Sequence, residues 1–140
     1  MRQQVCIVKL RELPVSYRLV FACVAGILVS GSASAEPEAR LVAQGQRQFL
    51  RCASCHAIEA NSPARIGPNL HGVVGRKAGS LPGYAYSPAM QAQNFVWTEA
   101  KLDQWLTRPS ALVPGTAMAF EGLARPEDRA ALIAYLSAKK

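Results

Sequence analysis

The chain has 140 residues, half of them apolar, with 16 basic and 9 acidic side chains and a net charge of +7. That length suits one domain, and the charges form no like-signed block of the kind that makes a nucleic-acid-binding arm. A disulfide scaffold is excluded as well, because downstream of the leader only Cys52 and Cys55 remain, three positions apart.

In chain order the first element is an export leader. Arg2, Lys9, Arg11 and Arg18 make a basic opening stretch, Leu19 to Ala35 carries no charge, and Ala33-Ser34-Ala35 is a small-x-small ending that a signal peptidase accepts. Residues 1–35 are therefore expected to be cut off after Ala35, delivering residues 36–140 to the periplasm as one domain. Cleavage removes four basic residues and one acidic residue, so the net charge falls from +7 to +4. Cys6 and Cys23 leave with the leader. Left uncut, its seventeen uncharged residues would sit near the lower limit for a spanning helix and would act as an inner-membrane anchor. No later apolar run is long enough to span, so the cut protein has no stable membrane insertion.

The apolar positions of the remaining chain follow helical spacing, not alternation. A first helix is expected from about Glu38 to about Arg51, with Leu41, Phe49 and Leu50 turned inward. From Ile58 to Pro88 the chain reads as irregular, punctuated by Gly67, Gly72, Gly75, Gly79 and Gly83. Met90 falls on a short helix after Ser87-Pro88-Ala89. Another helix runs roughly Thr98 to Thr107, with Thr98 as its cap and a stop before Pro109. A proline- and glycine-bearing segment, Pro109 to Gly122, leads to the last helix, which opens on Pro126-Glu127-Asp128 and closes on Lys139-Lys140. Its Leu132, Tyr135 and Leu136 form an apolar stripe suited to core packing. So long an irregular stretch, and so few helices to bury, imply that a large apolar cofactor completes the core.

Cys52-Ala53-Ser54-Cys55-His56 is a C-x-x-C-H run, the attachment signature of c-type haem. Two cysteines three apart at a helix end can each add to one vinyl group on the same edge of a porphyrin, and the next histidine can then reach the iron. A thioredoxin-like pair would need a βαβ setting, and no strand pattern is present. A zinc site would need Cys52, Cys55, His56 and His71 together, with two of them adjacent in sequence. A disulfide at this spacing would be strained.

The second axial position on iron decides what a haem protein does. Met118 leads the candidates: Pro114-Gly115-Thr116 builds a turn able to aim its thioether, 62 residues beyond His56. His71 ranks second, with a loop histidine as its plain alternative. Met90 reads as a gap-filler in the core.

With these stretches in view the chain resembles the class I cytochromes c of mitochondria and bacterial periplasms. The likeness is carried by the C-x-x-C-H run, Gly67-Pro68-Asn69-Leu70-His71-Gly72, Gly75-Arg76-Lys77, Gly83-Tyr84-Ala85-Tyr86-Ser87, Trp97, Pro114-Gly115-Thr116, Met118-Ala119-Phe120 and Leu132 to Leu136. The resemblance implies an all-α fold of about three to five helices wrapped round one covalent haem c, with the first and last helices crossing. It implies Cys52 and Cys55 as thioether anchors and His56 and Met118 as axial ligands of the iron, with the Pro68 carbonyl orienting the His56 ring. Arg76, Tyr86 and Trp97 match residues that contact a buried haem propionate, and Thr116 and Trp105 complete the pocket. Trp105 stands where many members carry a tyrosine near the methionine ligand. Ala117, Ser110 and Ala111 stand where mitochondrial members carry lysines, reducing the basic rim to Arg51, Arg65, Lys77 and Arg125.

Such a protein is a one-electron carrier, not an enzyme, since two axial ligands leave the iron no open site. The expected partners are redox proteins: a quinol–cytochrome c oxidoreductase on one side, a terminal oxidase or a reductase on the other, with the carrier itself a monomer. The alternative is the haem c subunit of a dedicated periplasmic oxidoreductase such as a dehydrogenase.

Overall fold

In the computed structural model, residues 35–140 are described; the leader up to Ser34, with all but the last residue of its cleavage signal, its anchor alternative and Cys6 and Cys23, lies outside them. Among the described residues five helices follow one another: α1 Ala35–Phe49, α2 Pro88–Gln91, α3 Glu99–Thr107, α4 Pro109–Leu112 and α5 Pro126–Ser137. Among the described residues there is no strand, only an isolated antiparallel bridge between Lys77 and Val96. None of these helices is long and apolar enough to cross a membrane. The all-α expectation holds.

The expected crossing of first and last helices is made by α1 and α5. Glu36 and Glu38 in the first turn of α1 and Arg47 in the last match the helix dipole. The crossing itself depends on Gly45. A Cβ at that position would stand 1.9 Å from the Ala131 carbonyl oxygen and 2.6 Å from the Tyr135 Cβ, so only glycine lets the two backbones touch. Phe49 stacks on Tyr135 at 5.5 Å between ring centroids, and the Gln48 Nε2 donates to the Asp128 carboxylate at 2.9 Å.

This seam corrects the predicted inward face of α1. Leu41 is 38% exposed and Leu50 is 73% exposed. The buried positions are Gly45 and Phe49, with Val42 packed partly against the core. Positions 42, 45 and 49 form one stripe at helical spacing, and Leu41 flanks it. The helix also stops at Phe49, two residues before the predicted end, which leaves Leu50 on the outgoing turn. At the other end of the domain, α5 stops at Ser137 instead of running to Lys139-Lys140.

The stretch from Ile58 to Pro88 is irregular as expected, and two side chains tie it down. The buried Asn69 amide donates to the Glu59 and Ser62 carbonyls (2.9 and 2.8 Å) and accepts from the His71 N–H at 2.8 Å. Arg76 donates to the Asn69 and His71 carbonyls at 2.9 and 3.2 Å. Capping starts the later helices: the Ser87 side chain accepts from the Met90 N–H, and the Thr98 hydroxyl accepts from the Lys101 N–H at 3.1 Å. The proline- and glycine-bearing segment after α3 holds one turn of helix, α4, before it loosens towards Met118; Pro109 at its start is fully buried. A proline is tolerated in a first turn because its missing N–H has no partner there.

Candidate functional site

A cavity of about 430 Å³ opens between α3, α5 and the loops that carry residues 51–56, 66–76, 84–90 and 116–120. It is built from one end by the turn that leaves α1. There the Cys55 and His56 N–H groups both donate back to the Cys52 carbonyl, at 3.0 and 2.9 Å. That tight turn turns Cys52, Cys55 and His56 to the same cavity. Both thiols are free and half-buried, and burial pushes the Cys52 thiol above its ordinary range, with Arg51 opposing.

His56 is buried, and its Nδ1 lies 2.8 Å from the Pro68 carbonyl oxygen. A carbonyl can only accept, so Nδ1 carries the hydrogen and Nε2 keeps the lone pair. Burial also lowers the imidazole pKa, against the pull of the Pro68 hydrogen bond, so the ring stays neutral and able to ligate. Gly67 is packed on the ring: a Cβ there would come within 2.3 Å of His56 Cε1.

The apolar walls come from α3 and α5. Leu102, Leu106, Leu132 and Leu136 line the cavity, each pair one helical turn apart. The α5 stripe assigned to core packing thus also faces the cavity. Trp97 and Trp105 meet edge to face at 5.3 Å and both line it. Among the described residues neither indole N–H has a partner in the chain. Both residues are buried, at 8% exposed, and each indole nitrogen keeps some accessible surface.

Arg76 brings a cation to this apolar space. It is half-buried, makes its hydrogen bonds to backbone carbonyls, and has no ion-pair partner among the described carboxylates. Burial drives its pKa down, and the neighbouring Tyr86 phenol opposes that shift. A guanidinium left this way calls for an anion from outside the chain.

The residues that the resemblance implies for the site all reach this cavity: besides those above, Pro68, Tyr86, Thr116 and Met118 line it. Met90 lines it too and is buried, as a core gap-filler would be. His71 does not; it lies half-buried against a separate surface hollow with Asn61, Ser62 and Pro82. Two contributors escaped the sequence reading. Gly67 is one, for a reason visible only in the close approach to His56. Tyr84 is the other: its hydroxyl donates to the Ile66 carbonyl at 2.8 Å and its ring meets Tyr86 edge-on at 4.7 Å. The signal was present in Tyr84-x-Tyr86, since residues two apart in extended chain share a side.

The donor set fits a large apolar group with a metal at its centre and anionic substituents. Paired thiols, a neutral imidazole and a thioether border one apolar space, and the half-buried Arg76 and two tryptophans line it with them. The volume falls within the range of binding sites.

Residues 42–140 match the model of the family described as Cytochrome c. The chain is 46% identical over 94 residues to a protein named cytochrome c2 from Rhodomicrobium vannielii, covering 67% of this chain and 75% of that protein. It is 43% identical over 86 residues to a cytochrome c of the yeast Kluyveromyces lactis, covering 61% and 78%. A cytochrome c2 of Rhodoblastus acidophilus is 45% identical over 93 residues, covering 66% and 87%.

Proposed function

The chain belongs to the cytochrome c family, and from that premise we propose that Cys52 and Cys55 hold the haem, that His56 and Met118 bind its iron, and that the protein carries electrons between periplasmic redox proteins. Membership makes it an electron-transfer protein, not an enzyme, with one covalent haem c. What supports the finer reading is one observation: two thiols, a neutral imidazole and a thioether that lie up to 66 residues apart in sequence line a single cavity.

Bound haem c supplies a one-electron Fe(II)/Fe(III) couple. The rest is the work of the chain. Cys52 and Cys55 would hold the group covalently, each S–H adding across one vinyl double bond of the porphyrin. Pro68, by holding the hydrogen of Nδ1, presents the Nε2 lone pair and keeps the ring from rotating. Met118 offers a soft, weakly donating sulfur that favours the reduced iron. The leucine walls disfavour the extra charge of the oxidised state, and so raise the potential in the same direction. Arg76 and Trp97 would hold the anionic propionate side, where an unpaired carboxylate would be costly. His56 and Met118 together would hold the iron and leave it no open place for a substrate.

The leader argues for export and for cleavage after Ala35. Mass spectrometry of the protein recovered from a periplasmic fraction should then begin at Glu36; a mass that includes residues 1–35 would overturn the cleavage. For the ligands the test is the visible spectrum of the oxidised holoprotein. A weak long-wavelength sulfur-to-iron band should be present and should vanish in Met118→Ala. Its absence from the unsubstituted protein would remove Met118 from the iron.

A further inference from the structure

Met118 is carried by a segment that makes no hydrogen bond to distant parts of the chain. Among the described residues, the hydrogen bonds of residues 114–121 all close within 113–120. The Thr116 N–H donates to the Val113 carbonyl at 3.1 Å, the Met118 N–H to the Thr116 hydroxyl at 3.3 Å and the Phe120 N–H to the Met118 carbonyl at 3.1 Å. Met118 and Phe120 pack partly against the core, but apolar contacts are non-directional and set no register along the segment. Its position is therefore fixed at its two ends. Upstream, Val113 is fully buried, and its N–H donates to the Pro109 carbonyl at 2.9 Å.

The downstream end is held by two helices. Gly122 lies against the end of α3, where a Cβ would stand 2.1 Å from the Thr107 carbonyl oxygen. The N–H of the buried Leu123 donates to the Leu106 carbonyl at 2.7 Å. From α5, one guanidinium serves three acceptors. Arg129 Nε donates to the Asp103 carboxylate at 2.7 Å, and Nη1 donates to the Leu123 and Ala124 carbonyls at 2.9 and 3.1 Å. The Arg129 side chain is only 11% exposed. Arg125, nearer in sequence, is occupied by Glu127 at 2.8 Å and Asp128 at 3.4 Å. Asp103 belongs to α3 and Arg129 to α5, the helices whose leucines wall the cavity. The guanidinium thus ties the strap of residues 122–124 to both walls at once.

We infer that Arg129, which does not line the cavity, is a positioning residue for Met118, and that it acts through the 122–124 strap to keep the thioether where it can bind iron. The inference rests on the ligand reading above. Gly122 is four residues from Met118, about 14 Å of chain at full extension, so freedom at the strap passes to the thioether. The planar fork of arginine suits three acceptors in one place; a lysine ammonium is a point charge and cannot meet a carboxylate and two carbonyls in that geometry.

Imidazole titration of the oxidised holoprotein, followed in the visible spectrum, tests this. The competing nitrogen ligand enters only when the thioether leaves, so its apparent affinity reads how often the segment lets go. Arg129→Met and Arg129→Lys should each bind imidazole about tenfold more tightly, the factor that accompanies loss of one hydrogen bond to a charged group. Gly122→Ala, which forces the strap off α3, should tighten binding as well. Gln48→Ala removes the bond to Asp128 at the α1–α5 seam; it should lower the unfolding midpoint and leave imidazole affinity as it was. Unchanged affinity in both Arg129 variants would overturn the inference, as would an equal gain in Gln48→Ala. An unsubstituted protein without the sulfur-to-iron band would overturn the Met118 ligand reading itself.

Discussion

Gly45→Ala is the substitution whose sign the fold reverses. In an exposed helix interior, alanine in place of glycine stabilises by up to about 1 kcal/mol. In α1 the added methyl would lie 1.9 Å from the Ala131 carbonyl oxygen, 2.7 Å from the Ala131 carbonyl carbon and 2.6 Å from the Tyr135 Cβ. These are short of ordinary contact by more than an ångström, and the Ala131 atoms are backbone that cannot rotate aside. The two helices must separate. That loosens Phe49 from Tyr135 and stretches the Gln48–Asp128 bond of 2.9 Å. Overpacking of this kind costs roughly 1–3 kcal/mol, and a weakened hydrogen bond adds about 1 kcal/mol. Less the propensity gain, the net loss is about 1–3 kcal/mol, a fall in Tm of roughly 5–20 °C for a domain of this size. Guanidinium unfolding of the oxidised holoprotein followed by far-UV circular dichroism measures it. The exposed neighbour Gln46→Ala serves as the control, expected within about 0.5 kcal/mol of the parent. A Gly45→Ala protein as stable as the parent, with an unchanged denaturant slope, would refute the close crossing at this residue.

Three further outcomes follow from the same geometry. Thr98→Ala removes the cap that accepts from the Lys101 N–H and should cost about 1 kcal/mol in the same unfolding assay; no loss would mean the first turn of α3 is held by other contacts. Gly67→Ala places a methyl 2.3 Å from His56 Cε1, so the imidazole must tilt and its bond to Pro68 must lengthen; a shifted reduction potential and a loss of roughly 1–3 kcal/mol are expected, and an unchanged potential would show that the ring has room. Burial raises the Tyr86 phenol pKa, against the lowering pull of Arg76. The folded protein therefore holds that proton more tightly than the unfolded chain, and this stability is present below pH 10 and lost as pH climbs through the raised value. Tyr86→Phe should flatten the fall of the unfolding midpoint above pH 10; equal slopes in the two proteins would mean Tyr86 titrates as it does in the unfolded chain.

The chemistry of this chain was legible in its sequence because it is local. A cofactor attached through two thiols and ligated by the next residue would need those three side chains within one turn, and Cys52 to His56 meet that need in five letters. The helices were legible for a similar reason: Thr98 marks a start through a bond made within one turn, Pro126 marks one through its fixed backbone angle and missing N–H, and the apolar spacing of α5 repeats every three to four residues. What no local rule contains is which surfaces meet. Leu41 and Leu50 carry as much apolar character as Phe49, yet they face solvent, because the α5 backbone comes up against Gly45 and the stripe that shares its side is 42, 45 and 49. His71 and Met118 were both able to ligate iron on composition alone. Only the folded loops separate them, taking His71 to an outer hollow and Met118 to the cavity. The same holds for charge: Arg125 counts as a rim cation in the sequence, and only the fold brings Glu127 and Asp128 within reach of it. Residue types and short spacings determine which groups are available and which cofactor they suit. The crossing of α1 and α5, made possible by a missing side chain at Gly45, and the path of the loops between them determine which of those groups share one space.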